Sequence, residues 1–429
     1  MSVSKKVFFR VHSWIGIKLS ILFFLVCFSG TLATLSHEMD WLFISDMRAT
    51  PQTEFASRNL IVSNLKKIYS KGIITYWLRQ EEPYLCDLIY VVVEKKRTYV
   101  FANPYTGKIQ GHANLTFHRF FRDLHYFLYI PNQVGNFMVL AFGFLLFISL
   151  LTALFFYKKW WRKLFVLQTR KGALVFFRSL HRLVGLWSIP FTLLFSITGI
   201  WYFMERANIA DVGTTANPMQ PRITAISSEF DTTINLSYTI DYDKAITISE
   251  QEISNLKVQS ISPPSSYKNP IYLRGKSNVA LVRQRANRVF INPQNYEVLK
   301  IQDAKNSTTT MWLNDIADPL HFGYWGGLTT KIIWFIMGLG ISSLILSGIW
   351  ITLKRNAISR KKNKIEVLGI WKYINWLIYG IMMYFMYSRL VTTYHASPLG
   401  ITIISIGWLV LIGLAYYVFV YRLTKTVKK

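Results

Sequence analysis

The sequence predicts an α-helical integral membrane protein: a four-helix core of two tandem repeats, two extra C-terminal helices, and two α+β domains outside the membrane. Three observations lead there. The 429 residues are 52% hydrophobic and only 17% charged, whereas soluble chains carry about 25% charged residues. A histidine-led apolar stretch occurs twice, and a strand-turn-strand pattern also occurs twice, once in each half.

The first element, FFRVHSWIGIKLSILFFLVCFSGTLATL at 8–35, joins a basic cluster and His12 to an apolar run. That run is long enough to cross a hydrocarbon core of roughly 30 Å. It exceeds a signal-peptide core and lacks a small-x-small site after it, so a retained helix is expected. The stretch recurs as FRSLHRLVGLWSIPFTLLFSITGIWYF at 177–203, where an offset of 169 carries His12, Gly16 and Gly30 onto His181, Gly185 and Gly199. Such repetition marks two related halves.

Six spans are expected: 1–35, 125–157, 183–204, 321–353, 370–388 and 399–421, the second and fourth including an interfacial approach. Basic residues crowd at alternate ends. Lys5, Lys6 and Arg10 precede the first span, Lys158 to Arg178 fill the connection 158–182, and Lys354, Arg355, Arg360, Lys361, Lys362 and Lys364 fill 354–369. Arg422, Lys425, Lys428 and Lys429 lie in the tail 422–429. The positive-inside rule places all four sets, and both termini, in the cytoplasm. This also accounts for a net charge of +27 without nucleic acid as a partner.

The outer segments are then 36–124 and 205–320, with a short loop at 389–398. LIYVVVEKKRTYVFANPYTGKIQG at 88–111 and NVALVRQRANRVFINPQNYEVLK at 278–300 alternate apolar and polar residues and reach an Asn-Pro corner. Both predict hairpins. The second lacks the Thr-Gly of the first, which leaves its turn type open. Residues 208–266, rich in Thr, Ser and Asn, suggest short strands and loops.

Histidine placement carries the functional reading. His12 and His181 open the first and third spans on the inner side, while His125 in RDLHYFLY and His321 in DPLHFGYWGG precede the second and fourth on the outer side. An offset of 196 relates His125 to His321. Two facing imidazoles can ligate a haem iron from both sides, an arrangement suited to electron transfer. Gly16 and Gly185 would let a flat ring approach the helices, and Arg10, Arg178 and Arg182 inside, with Arg119 and Arg122 outside, suit its propionates. Any one of these histidines alone would be an ordinary interfacial residue. His37 is an alternative ligand, His118 falls near the face of His125, and His112 and His395 read as loop residues. Cys27 and Cys86 form no CxxC or CxxCH motif, which disfavours covalent haem, iron–sulfur clusters and structural zinc.

The entrances HSWIGI and HRLVGL, the following SGT and TGI, the LHYF and LHFG motifs and the NPYTGKIQG hairpin resemble the PepSY-associated transmembrane family, over residues 5–360. That resemblance implies PepSY-like outer domains and a bacterial inner-membrane location. Members include di-haem reductases of siderophore iron, which carry two haem b groups. It therefore implies His12 with His181 for the cytoplasmic-side iron, His125 with His321 for the periplasmic-side iron, and a ferric siderophore as substrate. No GxGxxG after a strand and no Walker motif occurs, so a cytoplasmic flavoprotein, a soluble reductant or membrane quinol is the expected electron donor. Two other readings remain open here: a permease without redox chemistry, and a peptidase-binding regulator.

Overall fold

A computed structural model describes residues 3–224, 235–358 and 368–422. Arg360, Lys361, Lys362, Lys364, Lys425, Lys428 and Lys429 lie outside the described residues. The first half runs α1 (Val3–Lys18), α2 (Ser20–Thr34), α3 (Ser36–Phe43), α4 (Arg58–Ile68), β1 (Ile73–Leu78), β2 (Asp87–Val93), β3 (Lys96–Ala102), β4 (Ile109–Ala113), α5 (Phe117–Phe127) and α6 (Asn132–Phe156). The second repeats much of it: α7 (Ala173–Trp187), α8 (Ile189–Arg206), α9 (Val212–Ala216), α10 (Tyr242–Glu252), β5 (Lys257–Ser262), β6 (Ile271–Lys276), β7 (Asn287–Ile291), β8 (Val298–Gln302), α11 (Thr309–Phe322) and α12 (Gly327–Ile358). Two helices close the chain, α13 (Trp371–Thr392) and α14 (Pro398–Tyr416).

Neither histidine-led stretch is one straight helix. The chain bends by 74° between α1 and α2 and by 61° between α7 and α8. Pro190, just inside α8, has no N–H to continue the ladder of α7. The first break, at Leu19, has no proline, and there the Lys18 carbonyl accepts from Asn375 Nδ2 on α13 at 2.5 Å. Among the described residues three helices are long and apolar enough to cross a membrane, or up to five if each bent pair is one span. The expected span at 370–388 falls in α13, which is 22 residues long but diluted by Tyr, Trp and Asn375, and it is not among them.

The outer segments merge. Their strands form one eight-stranded antiparallel sheet in the order β4-β3-β2-β1-β5-β6-β7-β8. The seam pairs Trp77 with Ile261 and Leu78 with Ser260. Helices α4 and α10 cover one face, packing Ile61, Leu65, Tyr242 and Ala245 on Trp77, Ile89, Ile261 and Val289. Asp243 of α10 accepts from the backbone N–H groups of Arg58 and Asn59 at the start of α4, and Asn59 Oδ1 accepts from Tyr242 N in return. Each helix thus satisfies the other's orphan donors. The helix α10, capped by Asp241, replaces part of the strands and loops suggested for 208–266.

The two Asn-Pro corners have the same backbone. Asn103 N bonds Lys108 O and Gly107 N bonds Asn103 O; Asn292 N bonds Glu297 O and Tyr296 N bonds Asn292 O. Gly107 has φ 73° and Tyr296 has φ 64°. The second turn therefore keeps the left-handed position without glycine, at some cost in strain.

Candidate functional site

The four motif histidines lie on the four helices that enter or flank the membrane-crossing segments: α1, α5, α7 and α11. The rings of His12 and His181 have centres 6.4 Å apart, and those of His125 and His321 are 6.1 Å apart. An imidazole nitrogen binds a first-row metal at about 2 Å with its ring centre about 1 Å behind, so two rings flanking one iron are separated by roughly 6 Å. Both pairs have that separation.

Nδ1 is occupied in every case. His12 Nδ1 lies 2.9 Å from Ser149 O and His125 Nδ1 2.8 Å from Val26 O; a carbonyl only accepts, so both nitrogens carry the proton. His181 Nδ1 lies 2.9 Å from Ser347 Oγ, whose own hydroxyl donates to Leu344 O. His321 Nδ1 lies 2.7 Å from Thr198 Oγ1, which donates to Leu194 O. These hydroxyls must accept, which protonates Nδ1 again. All four imidazoles keep the Nε2 lone pair, the tautomer and fixed ring orientation a metal ligand needs. The four partners were not identified from sequence; a Ser or Thr inside an apolar span is a signal for the hydroxyls of Ser347 and Thr198, but a main-chain carbonyl such as that of Val26 leaves none.

The glycines give the space. A Cβ on Gly30 would fall 2.6 Å from His125 Cε1, so only glycine lets α2 hold that ring so close. A Cβ on Gly16 would meet nothing within 4 Å, and one on Gly185 only Leu344 at 3.8 Å. Each lies one helical turn after its histidine. The helix surface is thus open at Gly16 and Gly185, whereas at Gly30 it is filled by the His125 ring.

The arginines divide. Arg10 and Arg178 are exposed. Arg182 is occupied, since Nη2 donates to Val166 O at 2.6 Å and Nη1 to Tyr157 OH at 3.3 Å, and it ties the inner connection to α7. Arg119 and Arg122 share the buried carboxylate of Asp123 at 2.7 and 3.3 Å. Both still line a cavity of about 1250 Å³ beneath the sheet, which also reaches His125, His321, Gly30 and Gly199. Its roof is the face of the sheet away from α4 and α10, with Tyr76, Tyr90 and Arg274. The volume exceeds that of an ordinary ligand pocket, roughly 300–1,000 Å³.

A model of the PepSY-associated TM region matches residues 9–355. The chain belongs to this family. The match spans both halves and all four histidines, stopping before α13. Comparison with curated proteins gives no match. Family membership and the apolar helices make this a membrane protein.

In this PepSY-associated chain the remaining histidines take other places. His37 stacks on His118 with ring centres 3.9 Å apart, and His118 Nδ1 lies 2.9 Å from Ser36 Oγ. Both line the cavity, beside the Lys331–Glu38 ion pair at 2.9 Å and the contact of Lys331 with Glu82. Burial works to raise the Glu82 carboxyl, but Lys331 and His37 hold it below its ordinary value. His112 is exposed on β4 and His395 sits in the α13–α14 turn.

Proposed function

We propose that this protein is an inner-membrane electron conduit with two haem b groups, reducing an Fe(III)-siderophore on the outer side and releasing Fe(II). The observation that carries the reading is the pair of imidazole separations, 6.4 and 6.1 Å, with Nδ1 bonded in all four rings. Haem, when bound, supplies a reversible one-electron couple, and two histidine ligands leave no open iron position for oxygen chemistry.

In this reading His12 and His181 hold the inner group, and His125 and His321 the outer one. Ser149, Val26, Ser347 and Thr198 keep each Nε2 directed and unprotonated. Gly16 and Gly185 leave room at their helix backbones, and Gly30 lets α2 hold the His125 ring close. Exposed Arg10 and Arg178 are the inner propionate partners, and Arg119 and Arg122 the outer ones. The cavity beneath the sheet admits the chelate next to the outer pair. Loss of iron follows from chemistry, since the hard oxygens of a siderophore hold Fe(III) much better than Fe(II). A cytoplasmic flavoprotein, a soluble reductant or membrane quinol supplies the electrons, the lipid bilayer surrounds the core, and both termini are cytoplasmic.

An absorption spectrum of the purified protein tests this. A b-type α band on reduction, with about two haems per chain, is expected. His12→Ala and His181→Ala should each remove the same haem, and His125→Ala and His321→Ala the other. A folded but colourless protein would sink the proposal.

A further inference from the structure

Each outer histidine is preceded on its own helix by an aspartate that accepts from a tyrosine hydroxyl and is paired with arginine. On α11, Asp318 accepts from Tyr202 OH of α8 at 2.7 Å and from Arg283 at 2.5 Å. On α5, Asp123 is fully buried, accepts from Tyr394 OH and from Arg122 Nη1 at 3.3 Å, and forms an ion pair with Arg119 at 2.7 Å. The tyrosines come from different places. The offset of 169 that relates the halves carries Tyr202 back onto Ala33, so α2 has no tyrosine at the equivalent position. Tyr394, two residues past the end of α13, reaches Asp123 instead.

Helix α5 needs such a tether. It is 11 residues long and ends at Leu128 in the left-handed conformation, φ 51°, so it is not continuous with α6. Asp123 and His125 are two residues apart, about 200° around the helix. One side of α5 can therefore be tied back while the other presents His125 to α2. Helix α13 adds the Arg389 guanidinium over the Phe127 ring at 4.8 Å, and its Asn375 takes the Lys18 carbonyl where α1 ends.

We propose that the C-terminal helix pair is the positioning element of the outer histidine site. Through Asp123, Tyr394 fixes α5 and the direction of His125, as Tyr202 does for His321 through Asp318. The part of this that concerns haem rests on the function proposed above; the tether itself does not.

The experiment uses the full-length protein in detergent with Tyr394→Phe, which keeps the ring and removes the hydroxyl. Tyr387→Phe is the control, because its hydroxyl bonds Ser405 inside the same hairpin, at 2.7 Å. Amide exchange across Phe117–Phe127 should rise roughly tenfold in Tyr394→Phe and stay unchanged in Tyr387→Phe, as expected for loss of a bond to a charged group. The midpoint potential and absorption band of the outer haem should shift in Tyr394→Phe alone, with the inner haem unaffected. Unchanged exchange in α5 overturns the proposal, whether or not the protein holds haem. Faster exchange with an outer haem identical to wild type overturns the positioning role and leaves Tyr394 as a structural contact. If the protein is colourless, the function proposed above has failed and α5 exchange alone decides the tether.

Discussion

Gly30 and His125 are in contact at a distance that admits no side chain: a Cβ at position 30 would lie 2.6 Å from Cε1 and 2.8 Å from Nδ1 of the ring. That ring is also fixed by its bond to Val26 O, one turn earlier on α2. Gly30→Ala must therefore push the imidazole off the Val26 carbonyl. The expected outcome is loss of the outer haem band with the inner band retained, together with destabilisation of about 1–3 kcal/mol from overpacking. A spectrum and a thermal melt check both.

Gly16 behaves in the opposite way. Its Cβ direction is open, so Gly16→Ala in the haem-free protein should be neutral or stabilising by about 0.5–1 kcal/mol, because alanine is the better helix former. A flat group lying against the helix there would be displaced by the methyl. Melting of haem-free protein set against retention of the inner haem separates the two effects. Equal retention in wild type and variant would mean that nothing rests on Gly16.

The hydroxyls facing His181 and His321 are the sharpest test of ring orientation. Ser347→Ala and Thr198→Val leave Nδ1–H without its acceptor while changing little volume. Each should weaken haem retention at its own site by about 10–100-fold, the usual cost of losing the group that orients a histidine ligand. Ser347→Ala acts on the inner site and Thr198→Val on the outer one, measured by haem transfer to apomyoglobin.

Glu82 makes an acid-dependent link between the sheet and α12. Its carboxyl in the folded protein is held below its ordinary value of 4.5: burial, the largest single influence, raises it, and Lys331, His37 and hydrogen bonds together more than offset that. A depressed carboxylate stabilises the fold above the unfolded value and loses that contribution as pH falls through the folded one. Melting temperature should therefore drop below about pH 4.5. Glu82→Gln should lower it near neutral pH and match wild type in acid. Identical pH profiles would show that the link contributes nothing.

The buried Asp87 is held by Arg58 at 2.9 Å, Trp77 Nε1 at 2.8 Å and Arg79 at 3.1 Å. Arg58 is itself buried, with its guanidinium 4.7 Å from the Trp77 ring centre. Arg58→Ala leaves a buried carboxylate short of charge and should destabilise the outer sheet by about 3–5 kcal/mol. Limited proteolysis of residues 36–124 would report it.

Much was legible because it is local or repeated. Apolar length announces α6, α12 and α14, and the offsets of 169 and 196 relate the four motif histidines to one another. The Asn-Pro corners follow from residues a few positions apart, but the sequence left the second turn's type open, and only the structure shows that it keeps the shape of the first with Tyr296 in place of glycine. What the tertiary structure alone decided is long-range. The joining of β1 to β5 makes one sheet of two segments, because two exposed edges satisfy each other's N–H and C=O groups. The breaks at Leu19 and Ser188 turn each histidine helix away from its span. Ser149 lies 137 residues from His12, and Tyr394 lies 271 from Asp123. No period or offset relates such partners; only the packing of helices from distant parts of the chain brings a donor and an acceptor within hydrogen-bond reach.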